Sequence, residues 1–203
     1  MNKRLLTCAL VLICVLFVCP VFASGSAGSL PDLSIKCSSG FMSGQGDQAA
    51  YETSFPLSVS YEKKWVGNLA YGMGYSHISR KLCNEDTTFT IHAISFPIIY
   101  YPDYGPKKTN FYVGGKVNSF YISMSNPILD SIPGLIINVQ QNINVEPVIG
   151  CLVPISDKNY LDVYVSYQYR KYNIDLLYLS NSGTLTMDDN ALIIGAGMKF
   201  DLG

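Results

Sequence analysis

From Tyr160 to Arg170 apolar and polar side chains take turns along the chain. Leu161, Val163, Val165, Tyr167 and Tyr169 share one face, and Asp162, Tyr164, Ser166, Gln168 and Arg170 share the other. A period of two sustained over that length predicts a β-strand. The closing run repeats it, with Leu192, Ile194, Ala196, Met198 and Phe200 opposite Gly195, Gly197 and Lys199. Eight such strands are predicted, over 33–41, 54–62, 68–79, 88–101, 110–123, 142–155, 160–173 and 190–202. Valine, isoleucine, threonine and aromatic residues fill them. No segment combines a helical period with caps.

The charges decide which face is which. Lys36, Glu62, Lys116, Glu146, Asp162, Arg170 and Lys199 stand within the strands, on the face opposite the apolar series. A lysine or arginine turned toward lipid at mid-depth costs roughly 2–4 kcal/mol, so these seven side chains are expected inside, paired with one another. Leu33, Ile35, Cys37, Val59, Tyr61, Met73, Val113, Ile149 and Val163 are then expected outside. Apolar exterior and polar interior together predict an all-β fold: an eight-stranded, antiparallel, up-and-down transmembrane β-barrel. Eight strands leave a lumen that side chains can fill. Links after the even strands are short (63–67, 102–109, 156–159), and those after the odd strands are longer, 174–189 among them. Short periplasmic turns and long external loops are the habit of such barrels. Aromatics near strand ends (Trp65, Tyr100, Tyr101, Tyr104, Phe111, Tyr112, Tyr160 and Phe200) are expected to form two interfacial girdles. Pro56, Pro97, Pro147 and Pro154 fall in strand regions, where each removes a ladder donor and calls for a bulge or a strand end.

The N-terminal stretch falls outside this pattern. Lys3 and Arg4 precede an apolar run to Val18, Pro20 breaks it, and Val21-Phe22-Ala23 offers a cleavage site before Ser24. Residues 1–23 are read as a secretory signal peptide and 24–203 as one barrel domain. Cleavage leaves twelve of the fourteen basic side chains against fifteen acidic ones. The mature domain is mildly acidic, which gives no footing for nucleic acid. Cys37, Cys83 and Cys151 remain, an odd number with no metal-site spacing, so no metal or other cofactor is expected.

Four stretches carry a likeness to a known family: Phe96-Pro97-Ile98-Ile99-Tyr100-Tyr101, Asn110-Phe111-Tyr112-Val113-Gly114-Gly115-Lys116-Val117, the run from Pro147 to Asp157, and Gly195-Ala196-Gly197-Met198-Lys199-Phe200. In these the mature chain resembles the outer-membrane β-barrel domain family, the small OmpX/OmpW-type barrels of Gram-negative bacteria. The resemblance implies residence in the bacterial outer membrane after export. The implied partners are membrane lipids, lipopolysaccharide included, and the barrel-insertion machinery that reads a C-terminal aromatic residue. Here Asp201-Leu202-Gly203 follow Phe200.

Candidate chemistry is sparse. His77 and Ser79 make a His-x-Ser spacing similar to the motif of outer-membrane lipid A deacylases. Both are expected on the lipid face, and Glu85 is the nearest carboxylate to complete a triad. His92, in step with Thr90, is expected to point inward as a hydrogen-bonded filler. The segment Leu135, Ile136, Ile137 and Val139 is apolar for an external loop. It either prolongs the flanking strands or forms a lip for a small hydrophobic ligand. The leading expectation is a non-enzymatic structural or surface-interaction protein acting through its external loops. The alternatives are a carrier or narrow conduit for small hydrophobic molecules, a lipid-modifying enzyme, and a soluble exported barrel.

Overall fold

A computed structural model describes residues 30–45, 54–81, 86–105, 107–139, 143–178 and 181–202. The signal-peptide segment, Cys83 and Glu85 lie outside the described residues. Nine strands form one antiparallel sheet: β1 (Leu33–Gln45), β2 (Leu57–Val66), β3 (Leu69–Lys81), β4 (Thr88–Tyr100), β5 (Asn110–Ser125), β6 (Leu135–Val139), β7 (Ile143–Pro154), β8 (Asn159–Tyr178) and β9 (Asn181–Asp201). Each neighbour in sequence pairs with the next, except that β5 pairs with β7, and β9 returns to pair with both β8 and β1. That closes an eight-stranded barrel with no free edge around the ring, as a membrane requires. The ninth strand, β6, lies along the outer end of β8 on the same side as β7, one residue out of step with it. β7 loses its pairing to β8 at Pro147, which has no N–H to donate there. Pro97 likewise leaves a gap in the β3–β4 ladder opposite Gly72 and Met73.

The turns follow local chemistry. Val66 and Leu69 close a two-residue hairpin in which Gly67 adopts φ 56°, a conformation that costs glycine no steric strain. Asn110, fully buried, ties the β4–β5 turn: its side chain accepts from Gly105 N at 2.7 Å and donates to the Gly105 and Lys108 carbonyls at 2.9 Å. A single-turn helix, α1 (Pro127–Asp130), stands above β5, and the Asn126 side chain caps it by accepting from Ile128 and Leu129 N–H.

The faces divide as the charges required. Glu146, Asp162 and Arg170 are buried inside, and Lys116 points inward too, while Ile149 is 60% and Val163 38% exposed on the outer wall. Cys37 and Cys151 are also on the outer wall, as free thiols.

Four expectations need correction. His92 faces outward, not inward, because in β4 the buried set is Phe89, Ile91, Ala93, Pro97 and Ile99. Of the aromatics assigned to the girdles, Tyr101, Tyr104, Tyr112 and Tyr160 are buried in the lumen instead; the hydroxyls of the first three find carboxylates, and that of Tyr160 accepts from Tyr104. Residues 174–178 and 181–189 are strand and not loop. β8 and β9 stay paired up to Tyr178 opposite Asn181, and cross-strand bonds from Thr184 to Asp175 and from Thr186 to Asn173 hold them. Lastly, of the two flanking strands Leu135–Val139 prolongs the line of β7 along β8 and not β5.

Candidate functional site

Both termini of the barrel and its short turns share one end, which is the periplasmic end by the rule of turn lengths. Upward from there, the lumen is closed in layers. Tyr104, in the β4–β5 turn, donates to Asp201 Oδ2 at 2.9 Å and rests against Tyr160. Burial, the Tyr160 hydroxyl and the Asp201 carboxylate push its phenol far above the ordinary tyrosine value, so it remains a donor. Above it Lys199 Nζ and the Tyr101 hydroxyl both donate to Glu62 Oε2 at 2.7 Å. Next, Lys36 Nζ meets Asp162 Oδ2 at 2.5 Å, while the Tyr112 hydroxyl donates to Asp162 Oδ1 at 2.7 Å. A third carboxylate, Glu146, accepts from Lys116 at 3.0 Å, Asn118 at 3.0 Å and Gln168 at 2.5 Å.

Tyrosine rings fill the space between the ions. Lys36 lies 5.0 Å from the Tyr112 centroid and 4.9 Å from that of Tyr164, and Lys116 lies 5.3 Å from the latter. Two inward glycines make room for them: a Cβ on Gly150 would sit 2.5 Å from the Tyr112 hydroxyl, and one on Gly195 would sit 2.2 Å from the Tyr164 ring. What remains between Lys36, Glu62, Ser76, Lys116 and Glu146 is a cavity of about 50 Å3. That is room for a few waters and too small for an organic ligand.

Six of the seven interior charges expected from sequence therefore meet in three carboxylate-centred clusters. Arg170 stands apart, higher up, with its guanidinium 5.6 Å from the Phe120 centroid and Nη2 3.5 Å from Met42 Sδ. It shares the outer half of the lumen with Met42, Ile78, Phe89, Ile91, Phe120, Ile122, Ile174 and Ile193, all buried, and with buried Arg80. Arg80 escaped the sequence reading because strand three was ended at Ser79; continuing its inward series Ser76, Ile78, Arg80 would have found it. The tyrosines were missed for a different reason. Tyr101 and Tyr104 lie past the end of β4, where alternation no longer applies.

The apolar lip divides between two faces. Ile137 and Val139 pack against the apolar upper lumen beside Leu176, whereas Ile136 is 59% exposed on the opposite face and Leu135 is half-buried opposite Tyr178. His77 and Ser79 stand together on the outer wall, and the ring against His77 is that of His92, 5.0 Å between centroids.

No family model and no curated protein sequence matches the chain. Solved structures do. Neisserial surface protein A superposes with a TM-score of 0.63 at 13% identity over 84% of this chain and 97% of its own. Outer membrane protein OprG from Pseudomonas aeruginosa gives 0.60 at 13% identity over 86% and 98%. The chain has the fold of the small eight-stranded outer-membrane β-barrels. Outer membrane protein AlkL, solved in lipid bilayers, is similar too, with 0.55 at 15% identity over 89% of this chain and 95% of its own. Identities this low mean that the chain shares a fold with these proteins while its lumen and loops are its own.

Proposed function

We propose that this outer-membrane barrel is a non-enzymatic surface-interaction protein that presents its β6–β8–β9 extension to the exterior on a plugged stem. The observation that carries this reading is the filled lumen: three ion-pair clusters and a floor of tyrosines close around a cavity of about 50 Å3. The seven interior charges serve as a structural plug in this reading, and residues 1–23 as the export signal. The extension supports it as well. β8 has 20 residues and β9 has 21, where about 9–11 suffice to cross the bilayer. The surplus carries polar cross-strand pairs on one hand and exposed Ile136, Leu177 and Tyr178 on the other, a mixture suited to contact with another surface.

Two measurements test it. In planar bilayers the wild-type barrel is expected to pass no steady current; steady wild-type channels would overturn the reading. Replacing residues 176–183 by a two-residue Asn-Gly turn is expected to abolish attachment of producing cells to immobilised matrix proteins and glycans while leaving heat-modifiable gel migration intact. Attachment that survives the truncation would contradict it.

A second reading rests on the continuity of Ile137, Val139, Ile174 and Leu176 with the apolar upper lumen. That wall suits a carrier which receives a small hydrophobic molecule from outside. Faster entry of a hydrophobic dye into proteoliposomes, with no ion current, would favour the carrier over the surface-contact role.

A further inference from the structure

The chain contains two histidines, and the pairing of β3 with β4 sets them side by side. His77 and His92 are directly opposite across the two strands, and both face the outer wall. Their ring centroids are 5.0 Å apart, with the ring planes inclined by 52°. Two imidazoles on one tetrahedral zinc ion, each nitrogen about 2.0–2.1 Å from it, hold their centroids about 5 Å apart. The rings differ in their partners. His92 Nδ1 shares a hydrogen bond of 2.6 Å with the Tyr75 hydroxyl, and Tyr121 flanks the same ring from β5, its centroid 6.3 Å away. His77 is half-buried between Leu57 and His92 and makes no hydrogen bond among the described residues. Both of its ring nitrogens therefore lack a partner on the protein. On the β2 side the wall stays apolar through Leu57 and Phe55. Above the pair Ser79, Thr90 and Ser123 follow across β3, β4 and β5, so the approach from the exterior is polar.

We propose that His77 and His92 form a chelate for one divalent transition ion of the class that imidazole suits, with zinc as its representative. Each histidine ligates through one ring nitrogen. For His92 that atom is Nε2, because in the Nδ1–H tautomer Nδ1 donates to the Tyr75 oxygen. A metal-bound histidine ordinarily ties its other nitrogen in this way, which fixes tautomer and ring orientation. Tyr75 is then a positioning residue. Two imidazoles fill two of the four positions of a tetrahedral ion. Among the described residues no set of three histidine, cysteine, aspartate or glutamate side chains gathers, so water takes the remaining positions. An open site of that kind suits capture and release of an ion, and not a structural role, since strand ladders and ionic clusters already hold the barrel. The spacing of the cysteines carries no trace of this pair, and placing His92 inward separates it from His77. The chelate rests on the barrel fold alone and not on what the external extension binds.

The test uses the mature barrel without an affinity tag, isotope-labelled at histidine, in detergent micelles. Zinc chloride is titrated in, and NMR follows the ring signals of the two imidazoles. Both are expected to move on one saturation curve that ends at one ion per chain, and the nitrogen shifts should mark Nε2 of His92 as the bound atom. His77→Gln should abolish the response of His92, and His92→Gln that of His77. Tyr75→Phe should weaken binding by roughly 10–100-fold while both rings still respond. Cys83→Ser, between β3 and β4, should leave the curve unchanged. Heat-modifiable migration confirms that each variant is folded. Ring signals that stay still in excess zinc, a response from one histidine alone, or a response of either ring that survives loss of the other would each overturn the proposal. So would a Tyr75→Phe curve that overlays the wild type, or a response lost in Cys83→Ser.

Discussion

The two halves of the lumen solve the same packing problem with opposite chemistry. Toward the periplasm the filling is ionic: Glu62, Asp162 and Glu146 each draw a lysine and further donors to themselves. Toward the exterior it is hydrocarbon, from Met42, Ile78, Ile91, Phe120 and Ile193, with Arg80 and Arg170 embedded. Both halves are closed, yet they answer differently to substitution. An ionic layer fails when one partner is lost and its mate is stranded in low dielectric. An apolar layer fails in proportion to the volume removed, whichever residue supplied it.

The largest expected effect lies in the ionic half. Glu62→Gln should lower the free energy of urea unfolding in lipid vesicles by about 3–5 kcal/mol, because it leaves the Lys199 ammonium buried without its carboxylate. Adding Lys199→Met should recover most of that loss. If the double variant is no more stable than the single one, the layers are not held by pairing. In the apolar half Ile91→Ala should cost about 2–5 kcal/mol. No second substitution at a neighbour should restore it unless that neighbour is enlarged, as Ala93→Val would be.

Gly195→Ala separates packing from pairing within the ionic half. The new methyl meets the Tyr164 ring, and a loss of about 1–3 kcal/mol is expected. Tyr164→Leu should relieve the clash, at the expense of the rings that cover Lys36 and Lys116. The smallest effect belongs to the extension. Thr184→Ala with Thr186→Ala removes two exposed side-chain bonds, and the unfolding free energy should fall by no more than about 0.5 kcal/mol per site. A larger shift would mean that the hairpin is part of the cooperative barrel and not an appendage to it.

The same contrast explains what could be read from the sequence. Where the lumen is ionic, alternation carries a strong polarity signal, so the register of β1, β2, β5, β8 and β9 was legible, apart from Tyr112 and Tyr160 at the strand ends. In β4 it was not. Phe89, Ile91 and Ala93 face the apolar upper lumen, while Ile94, Phe96 and Ile98 face lipid. With hydrocarbon on both sides, the polar landmarks were His92 with Thr88 and Thr90 in step with it, and the rule that polar means inward turned them the wrong way. Residues 174–189 fail for the complementary reason. The outer hairpin has water on much of its surface, so threonine, asparagine and aspartate on either face read as a loop. The girdle was overcounted because a tyrosine at a strand end suits an interface and a buried hydrogen bond equally well; only the positions of Glu62, Asp162 and Asp201 across the barrel decide between them.

The assignment of faces can be tested on two native side chains. Cys37 and Cys151 lie on opposite stretches of the outer wall, on β1 and β7. In the mature chain carrying Cys83→Ser, each thiol in turn would bear a nitroxide in proteoliposomes, with the other replaced by alanine. Power saturation at both sites should show strong relaxation by oxygen, which dissolves in hydrocarbon, and almost none by a water-soluble nickel chelate. Relaxation by the nickel chelate at either site, with oxygen without effect, would place that wall in water and contradict the membrane barrel.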